Sequence, residues 1–196
     1  MLSITVYSDF VCPFCMLGEQ VLTDAIGNKD ISINWRAFEL RPYPVATLRP
    51  EDSYLPTIWQ QSVYPLAERL GVSMQLPTIS PQPRTDKAFE LLVMAQDKGL
   101  DHEYSMRVLR AFFQENLDIG DPEVLVTLAA DVGLNAKDAR QALENGIYTD
   151  RHREALRHAR EDMAITSVPT IVVGKQVFRG TPSISQLREA IDLLEA

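Results

Sequence analysis

The hydrophobic period of this sequence switches twice, from alternation to helical spacing and back, and this order of periods limits the fold more than any single residue does. Residues 3–7 are β-branched and apolar, and predict a strand that starts almost at once. Ile31-Ser32-Ile33-Asn34-Trp35-Arg36-Ala37-Phe38 alternates strictly, with Ile31, Ile33, Trp35 and Ala37 on one side. Between them, residues 13–26 carry Met16, Leu17, Gln20, Val21 and Leu22 near one helical face, and Gly27-Asn28 is a stop signal. A β–α–β opening of this kind joins parallel strands by a right-handed crossover. The chain ends differently. Thr170-Ile171-Val172-Val173 and Gln176-Val177-Phe178-Arg179 flank Gly174-Lys175, a two-residue hairpin turn. Ser183-Ile184-Ser185-Gln186 then fits a capping box for a last helix with Ile184, Leu187, Ile191 and Leu194 as its buried stripe.

The middle reads as helices. Pro42, Pro44 and Pro50 make residues 41–50 an irregular exit, and Pro77, Pro81 and Pro83 mark a loop at 76–84. Helical faces follow at Ala88, Leu91, Leu92 and Ala95, at Val108, Leu109, Phe112 and Phe113, and at Val124, Leu125, Leu128 and Ala129. Asp121-Pro122 sets a capping side chain before a proline at the first helical position, and Asn135 and Thr149 are expected to cap two more helices. The expected class is α/β: a mixed sheet, β-α-β … β-β-α, formed by residues 1–45 and 160–196, with an all-helical domain inserted at 46–159. A length of 196 residues suits one domain with an insertion, and 45% hydrophobic residues suit an ordinary core. Nineteen basic against 27 acidic residues, a net charge of −8, argues against nucleic-acid and anionic-membrane partners. The start Met1-Leu2-Ser3-Ile4 has no basic segment followed by a long apolar one, so a cytoplasmic location is expected.

The two cysteines, Cys12 and Cys15, stand at the strand-to-helix junction as Cys12-Pro13-Phe14-Cys15. A bridge closing so small a loop removes little unfolded-state entropy, so a structural role is a weak account of the pair. On a first helical turn the two sulfurs point to the same side. The first also lies at the positive end of the helix dipole, which favours its thiolate. Cys12 is therefore expected to be the exposed nucleophile and Cys15, one turn deeper, the resolving thiol. Pro13 presets φ. Phe14 adds an apolar contact and no charge, so the site should be less oxidising than one with histidine there. Asp9, three residues before Cys12, opposes a thiolate if it is near. Zinc needs four ligands, and His152 and His158 lack the i, i+4 spacing of a helical metal pair; inert cysteines are the other alternative.

A second element is Ser167-Val168-Pro169-Thr170, directly before the third strand. A proline at that place often marks a special turn. A cis Val168–Pro169 bond would present the backbone of Val168 to an extended substrate beside the cysteines, and an ordinary trans proline starting a strand is the alternative.

Together these segments resemble the DsbA-like thioredoxin superfamily, and within it the FrnE-like group. The likeness rests on Ser8-Asp9-Phe10-Val11-Cys12-Pro13-Phe14-Cys15, on Phe38-Glu39-Leu40-Arg41-Pro42, on Phe112-Phe113 through Asp118-Ile119-Gly120-Asp121, and on Ser167-Val168-Pro169-Thr170. It implies a thioredoxin-like fold with an inserted helical domain, a cis Pro169 against the active site, and thiol–disulfide exchange. Pro13, Phe14, Val168 and Pro169 would contact the substrate. Related 2-hydroxychromene-2-carboxylate isomerases and kappa-class glutathione transferases typically carry serine at the first cysteine and use glutathione; both cysteines are present here. Two departures bear on substrate contacts: Met16-Leu17-Gly18 where a tyrosine often follows, and Arg84-Thr85-Asp86 where an asparagine is frequent.

The expected activity is dithiol–disulfide exchange on protein or low-molecular-weight disulfides, with no bound cofactor, no metal, and glutathione as a candidate co-substrate. A homodimer stays open. The rival activities are a glutathione-dependent isomerase or transferase and a redox-independent client-binding chaperone. Trp35 and Trp59 read as core or groove wall. Phe10 and Phe14 read either as an apolar collar or as packing. Glu39 reads as solvated or as a proton relay for Cys15. Arg151, Arg153, Arg157 and Arg160 read as a solvated face, with an anion site for glutathione or an acidic client as the alternative, and Met94, Met106 and Met163 as core. The argument from Phe14 predicts that a glutathione redox titration gives a potential well below the roughly −120 mV of DsbA. A potential equal to that value would refute it.

Overall fold

In the computed structural model, which describes residues 2–195, the two ends of the chain build one four-stranded sheet of order β2-β1-β3-β4. β1 (Leu2–Ser8) lies parallel to β2 (Ile31–Ala37), and α1 (Pro13–Ile26) makes the crossover. β3 (Thr170–Val173) runs antiparallel to β1 and turns at Gly174-Lys175 into β4 (Gln176–Arg179). Gly174 holds φ at 59°, and a Cβ there would come within 2.5 Å of the Leu194 side chain, so only glycine makes this turn under the last helix, α9 (Ile184–Glu195). Alternation sorts the strands' side chains. Ile4, Val6, Ile171 and Val173 enter the main core, while Tyr7 joins Phe38, Ala159 and Ile165 in a smaller cluster.

The helical block lies between β2 and β3. α2 (Tyr54–Ile58) passes through a π-helical turn, Trp59–Val63, into α3 (Tyr64–Leu70). There the Tyr64 N–H reaches back to the carbonyl of Trp59. Pro65 follows at once and has no N–H to continue an α-helical ladder. α4 (Asp86–Gln96), α5 (Asp101–Phe113), α6 (Pro122–Asp131), α7 (Ala136–Asn145) and α8 (Thr149–Arg157) follow, and α8 runs into a second π-helical turn, His158–Asp162. Neither π turn is expected from the side-chain periods. Capping is mostly as the sequence predicts. Asp121 accepts from the amides of Glu123 and Val124, Asn135 from that of Asp138, and Ser183 and Gln186 bond reciprocally. Thr149 differs. It is the first helical residue rather than the cap, and its hydroxyl serves the Glu90 carboxyl.

Trp35 shows how the insertion is tied on. β2 is an edge strand, and edges leave backbone groups unpaired. The Gln96 amide donates to the carbonyl of Trp35 at 2.8 Å, the Asp101 carboxylate accepts from its N–H at 3.3 Å, and its indole N–H meets His102 Nδ1 at 3.1 Å. The ring is buried in an apolar core that also contains Trp59, Phe89 and Phe112, so both tryptophans are core. Met94 and Met106 are buried; Met163, expected in the core, is exposed because the chain leaves the second π turn there. Replacing Trp35 by Ala removes both packing and this edge cover. It is expected to cost about 3–5 kcal/mol, measured by urea unfolding.

Candidate active site

β1 ends at Ser8, and the turn Asp9-Phe10-Val11 delivers Cys12 to the N-cap of α1, with Pro13 at its first position. The Cys12 amide donates to the carbonyl of Asp9 at 3.1 Å, and the Cys15 amide donates to that of Cys12 at 3.0 Å. These two bonds stack both thiols on the first turn. The Cys12 thiol donates to the carbonyl of Val168 at 3.6 Å, across 156 residues. The Val168–Pro169 bond is cis. Pro169 presses against α1 at Gly18, where a Cβ would lie 3.0 Å from the proline ring. The glycine in Met16-Leu17-Gly18 thus makes room for the proline loop. That loop is held by the Gly180 amide on the carbonyl of Pro169 and by the Thr170 hydroxyl on that of Ser167.

Cys12 is not exposed as the sequence suggested: only 5% of it is accessible, against 1% for Cys15. The insertion is the reason. Leu40, Tyr54, Leu55, Ile58, Pro83 and Arg84 wall a recess of about 350 Å³ that also borders Cys12, Pro13, Phe14 and Val168. Phe10 belongs to no collar. It is fully buried, stacked on Phe89 with ring centroids 4.6 Å apart. Phe14 is half-buried on the recess wall. The exposed apolar residues on the recess are instead Leu40 and Tyr54, with exposed Tyr43 and Val45 on the segment that follows Leu40. Arg84 pins that segment by donating to the carbonyls of Arg41 and Val45 and lying over the Tyr43 ring.

The charges below the recess are arranged unequally. Burial, then the Cys12 thiol, push the Cys15 pKa well up, partly countered by the Ser8 hydroxyl and the Asp9 amide. Asp9 is buried on the recess wall, and burial raises its carboxyl to about 6. The Leu40 amide, donating at 2.7 Å, and the Thr85 hydroxyl oppose this rise, and the charge of Glu39 adds to it. Glu39 is neither solvated nor against Cys15. It is buried, with Oε1 2.6 Å from His152 Nε2. The arginine stretch divides. Arg151 pairs with Asp97, Arg153 with Asp150, and Arg157 with Glu154, Glu161 and Asp162 at the surface. Arg160 turns inward, donating to the carbonyl of Glu39 and lying over the Phe38 ring. Among the described residues no group of three or more His, Cys, Asp or Glu converges as a metal site requires. The sequence singled out His152 only as a rejected metal ligand and Thr85 only as a departure within Arg84-Thr85-Asp86, and it did not mark Gln82 at all. α8 is polar on nearly every side, so no apolar period marks His152, and Gln82 and Thr85 lie in and just after a proline-rich loop.

This fold, with paired thiols at a helix start beside a proline loop, defines a DsbA-type thioredoxin protein. The DSBA-like thioredoxin domain family matches residues 3–192, and the chain belongs to that family. The uncharacterized protein YwbO of Bacillus subtilis (strain 168) is 44% identical over 189 residues, covering 96% of this chain and 94% of that protein. A 2-hydroxychromene-2-carboxylate isomerase shares the fold with a TM-score of 0.80 at 16% identity, over 98% of this chain and 96% of its own. The cytosolic disulfide reductase DsbM from Pseudomonas aeruginosa, in a structure with GSH, has a TM-score of 0.73 at 14% identity, over 99% of both chains.

A carboxyl whose pKa is raised in the folded state costs stability once it ionises. For Asp9 the cost is absent near pH 3 and below, where the unfolded chain is largely protonated too. It grows between about 4 and 6 and is complete above. Asp9→Asn keeps an acceptor for the Leu40 amide and removes the charge. It is expected to stabilise the protein by up to about 3 kcal/mol at pH 7 and hardly at all at pH 3, read from urea unfolding at both pH values.

Proposed function

We propose that this protein is a thiol–disulfide oxidoreductase in which Cys12 is the nucleophile and Cys15 the resolving thiol. The Cys12 thiolate attacks one sulfur of a substrate disulfide, forms a mixed disulfide and expels the other substrate sulfur as a thiolate. Cys15 then loses its proton and attacks Cys12 Sγ. The second substrate thiol leaves and a Cys12–Cys15 disulfide remains. The substrate gains two electrons, the dithiol loses two, and an external thiol such as glutathione resets the site without any bound cofactor. The observation that carries this reading is the Cys12 thiol against the carbonyl of Val168 at one wall of the recess, with a Cys15 held protonated beneath it. The resolving thiol then does not compete for substrate and needs a base once the mixed disulfide has formed. Asp9, whose backbone amide serves the Cys15 thiol and whose carboxyl, with a pKa of about 6, is ionised at neutral pH, is the residue we assign as that base.

Val168 and Pro169 orient the substrate backbone, and Pro13 and Phe14 line its approach. Leu40 and Tyr54 on the recess, continued by exposed Tyr43 and Val45 on the adjoining segment, favour unfolded polypeptide segments, since exposed apolar residues beside a recess mark an interaction surface. The recess is also large enough for the cysteinyl part of glutathione, the molecule with which DsbM was solved. In a reducing cytosol the dithiol form prevails, so reduction or isomerisation is the expected direction. The fold shared with the isomerase supports a second reading, glutathione-dependent turnover of a small electrophile.

Insulin reduction and mixed-disulfide trapping separate these. Cys12→Ser is expected to abolish reduction, and Cys15→Ser to accumulate a mixed disulfide at Cys12 visible by mass spectrometry. Leu40→Ser/Tyr54→Ser is expected to slow reduction of insulin several-fold while sparing oxidised glutathione. Full activity of Cys12→Ser overturns the mechanism. Glutathione-dependent turnover that survives loss of Cys15 establishes the second reading. A Cys12→Ser/Cys15→Ser protein that still suppresses aggregation, from a wild type without redox activity, establishes a chaperone.

A further inference from the structure

The disulfide chemistry above leaves one buried ionisable pair unused. His152 comes from α8 in the insertion and Glu39 from the end of β2, 113 residues apart, and their side chains meet at 2.6 Å with both residues nearly inaccessible. Such a pair is costly to bury, and apolar residues of similar size fill the same space at no such cost. Its position gives it a use. Glu39 directly precedes Leu40, whose amide holds the Asp9 carboxylate at 2.7 Å, and the carbonyl of Asp9 holds the Cys12 amide at 3.1 Å. The charge of Glu39 reaches Asp9 across this short path.

We propose that His152 is a positioning residue: by pairing with Glu39 it limits the negative charge beside Asp9, and so governs the protonation of the acid next to the Cys12–Cys15 dithiol. The proposal rests on the disulfide-exchange reading for its purpose; the coupling rests on the His152–Glu39 contact, on the Leu40 amide that joins the residue after Glu39 to Asp9, and on the Glu39 charge acting at Asp9. A protonated His152 cancels part of the Glu39 charge as seen from Asp9. Without it Glu39 presents a full like charge, which disfavours ionised Asp9. The other groups around both residues are few. Glu90 on α4 also acts on His152, and is itself acted on by Asp86 and Lys87 and bonded by Thr149. The Phe89 ring stacks on the imidazole with centroids 5.5 Å apart, and Arg151 is turned outward to Asp97. Arg160 holds the backbone carbonyl of Glu39 rather than its carboxylate. Around Asp9 stand Glu39, Thr85 and Cys12, with Arg41 and Arg84 on the same recess wall. His152 Nδ1 is buried with no hydrogen-bond partner, so the imidazole is fixed through Nε2 and its stacking on Phe89.

The test is a carbon-13 titration of the Asp9 carboxyl in the full chain, with Asp9→Asn to identify its signal, together with the pH profile of Cys12 alkylation. Glu39→Gln removes the like charge and is expected to lower the proton affinity of Asp9 roughly threefold or more. His152→Gln keeps a donor to Glu39 but carries no charge, and is expected to raise it by a similar factor. The double variant should lie between the two single variants, because losing the Glu39 charge and losing the His152 charge act on Asp9 in opposite directions. A merely structural role moves unfolding midpoints and leaves these opposed shifts absent, so no shift, or shifts of the same sign, overturns the proposal. If Asp9 shifts while the Cys12 profile stays put, the link to the dithiol is refuted. Insulin reduction by Cys12→Ser tests the exchange reading separately, since the Asp9 titration requires no turnover.

Discussion

The hydrogen bond from the Leu40 amide to the buried Asp9 carboxylate joins the two chain segments on which the site depends. Asp9 belongs to the turn that presents Cys12. Leu40 begins the irregular exit from β2 that walls and rims the recess. A carboxylate buried at this point is unfavourable unless its lone pairs are used, and the backbone amide uses one oxygen while the other remains unpaired. The bond thus fixes where the polypeptide leaves the sheet, while keeping beside the thiols an acid whose proton affinity is tuned upward. Fold and chemistry share one constraint here.

From that junction the rest follows by packing. Gly18 lets Pro169 rest on α1, so the carbonyl of Val168 meets the Cys12 thiol from the opposite end of the chain. The insertion adds a roof, and its cover over the β2 edge at Trp35 holds that roof to the sheet. The roof and the sheet share one close-packed apolar core.

Much of this is legible in the residues. Strand and helix periods gave every β-strand and the crossover helix nearly to the residue, because alternation and the Gly-containing turns are local signals. The dithiol, its place at the N-cap, and Val168-Pro169 before β3 were legible for the same reason. The accessibility of Cys12 was misjudged because its roof comes from residues 40–58 and 83–85, whose approach leaves no trace near Cys12. Phe10 stayed open between collar and packing because nothing in its own segment decides between them; the partners that make it core, Phe89 and Tyr104, are remote. Glu39 looked solvated because nothing near it in sequence is basic except Arg36 and Arg41, and its partner is His152.

By itself, then, the sequence determined the order of elements, the sheet they make, and a vicinal thiol pair at a helix start, all set by period, turn chemistry and capping between near neighbours. Only the tertiary structure decided that Cys12 opens into a walled recess, that Asp9 holds its proton up to about pH 6, and that His152 sits on Glu39. Burial and the meeting of charges depend on what lies within a few ångströms in space. For these residues that neighbourhood comes from segments up to 156 residues away.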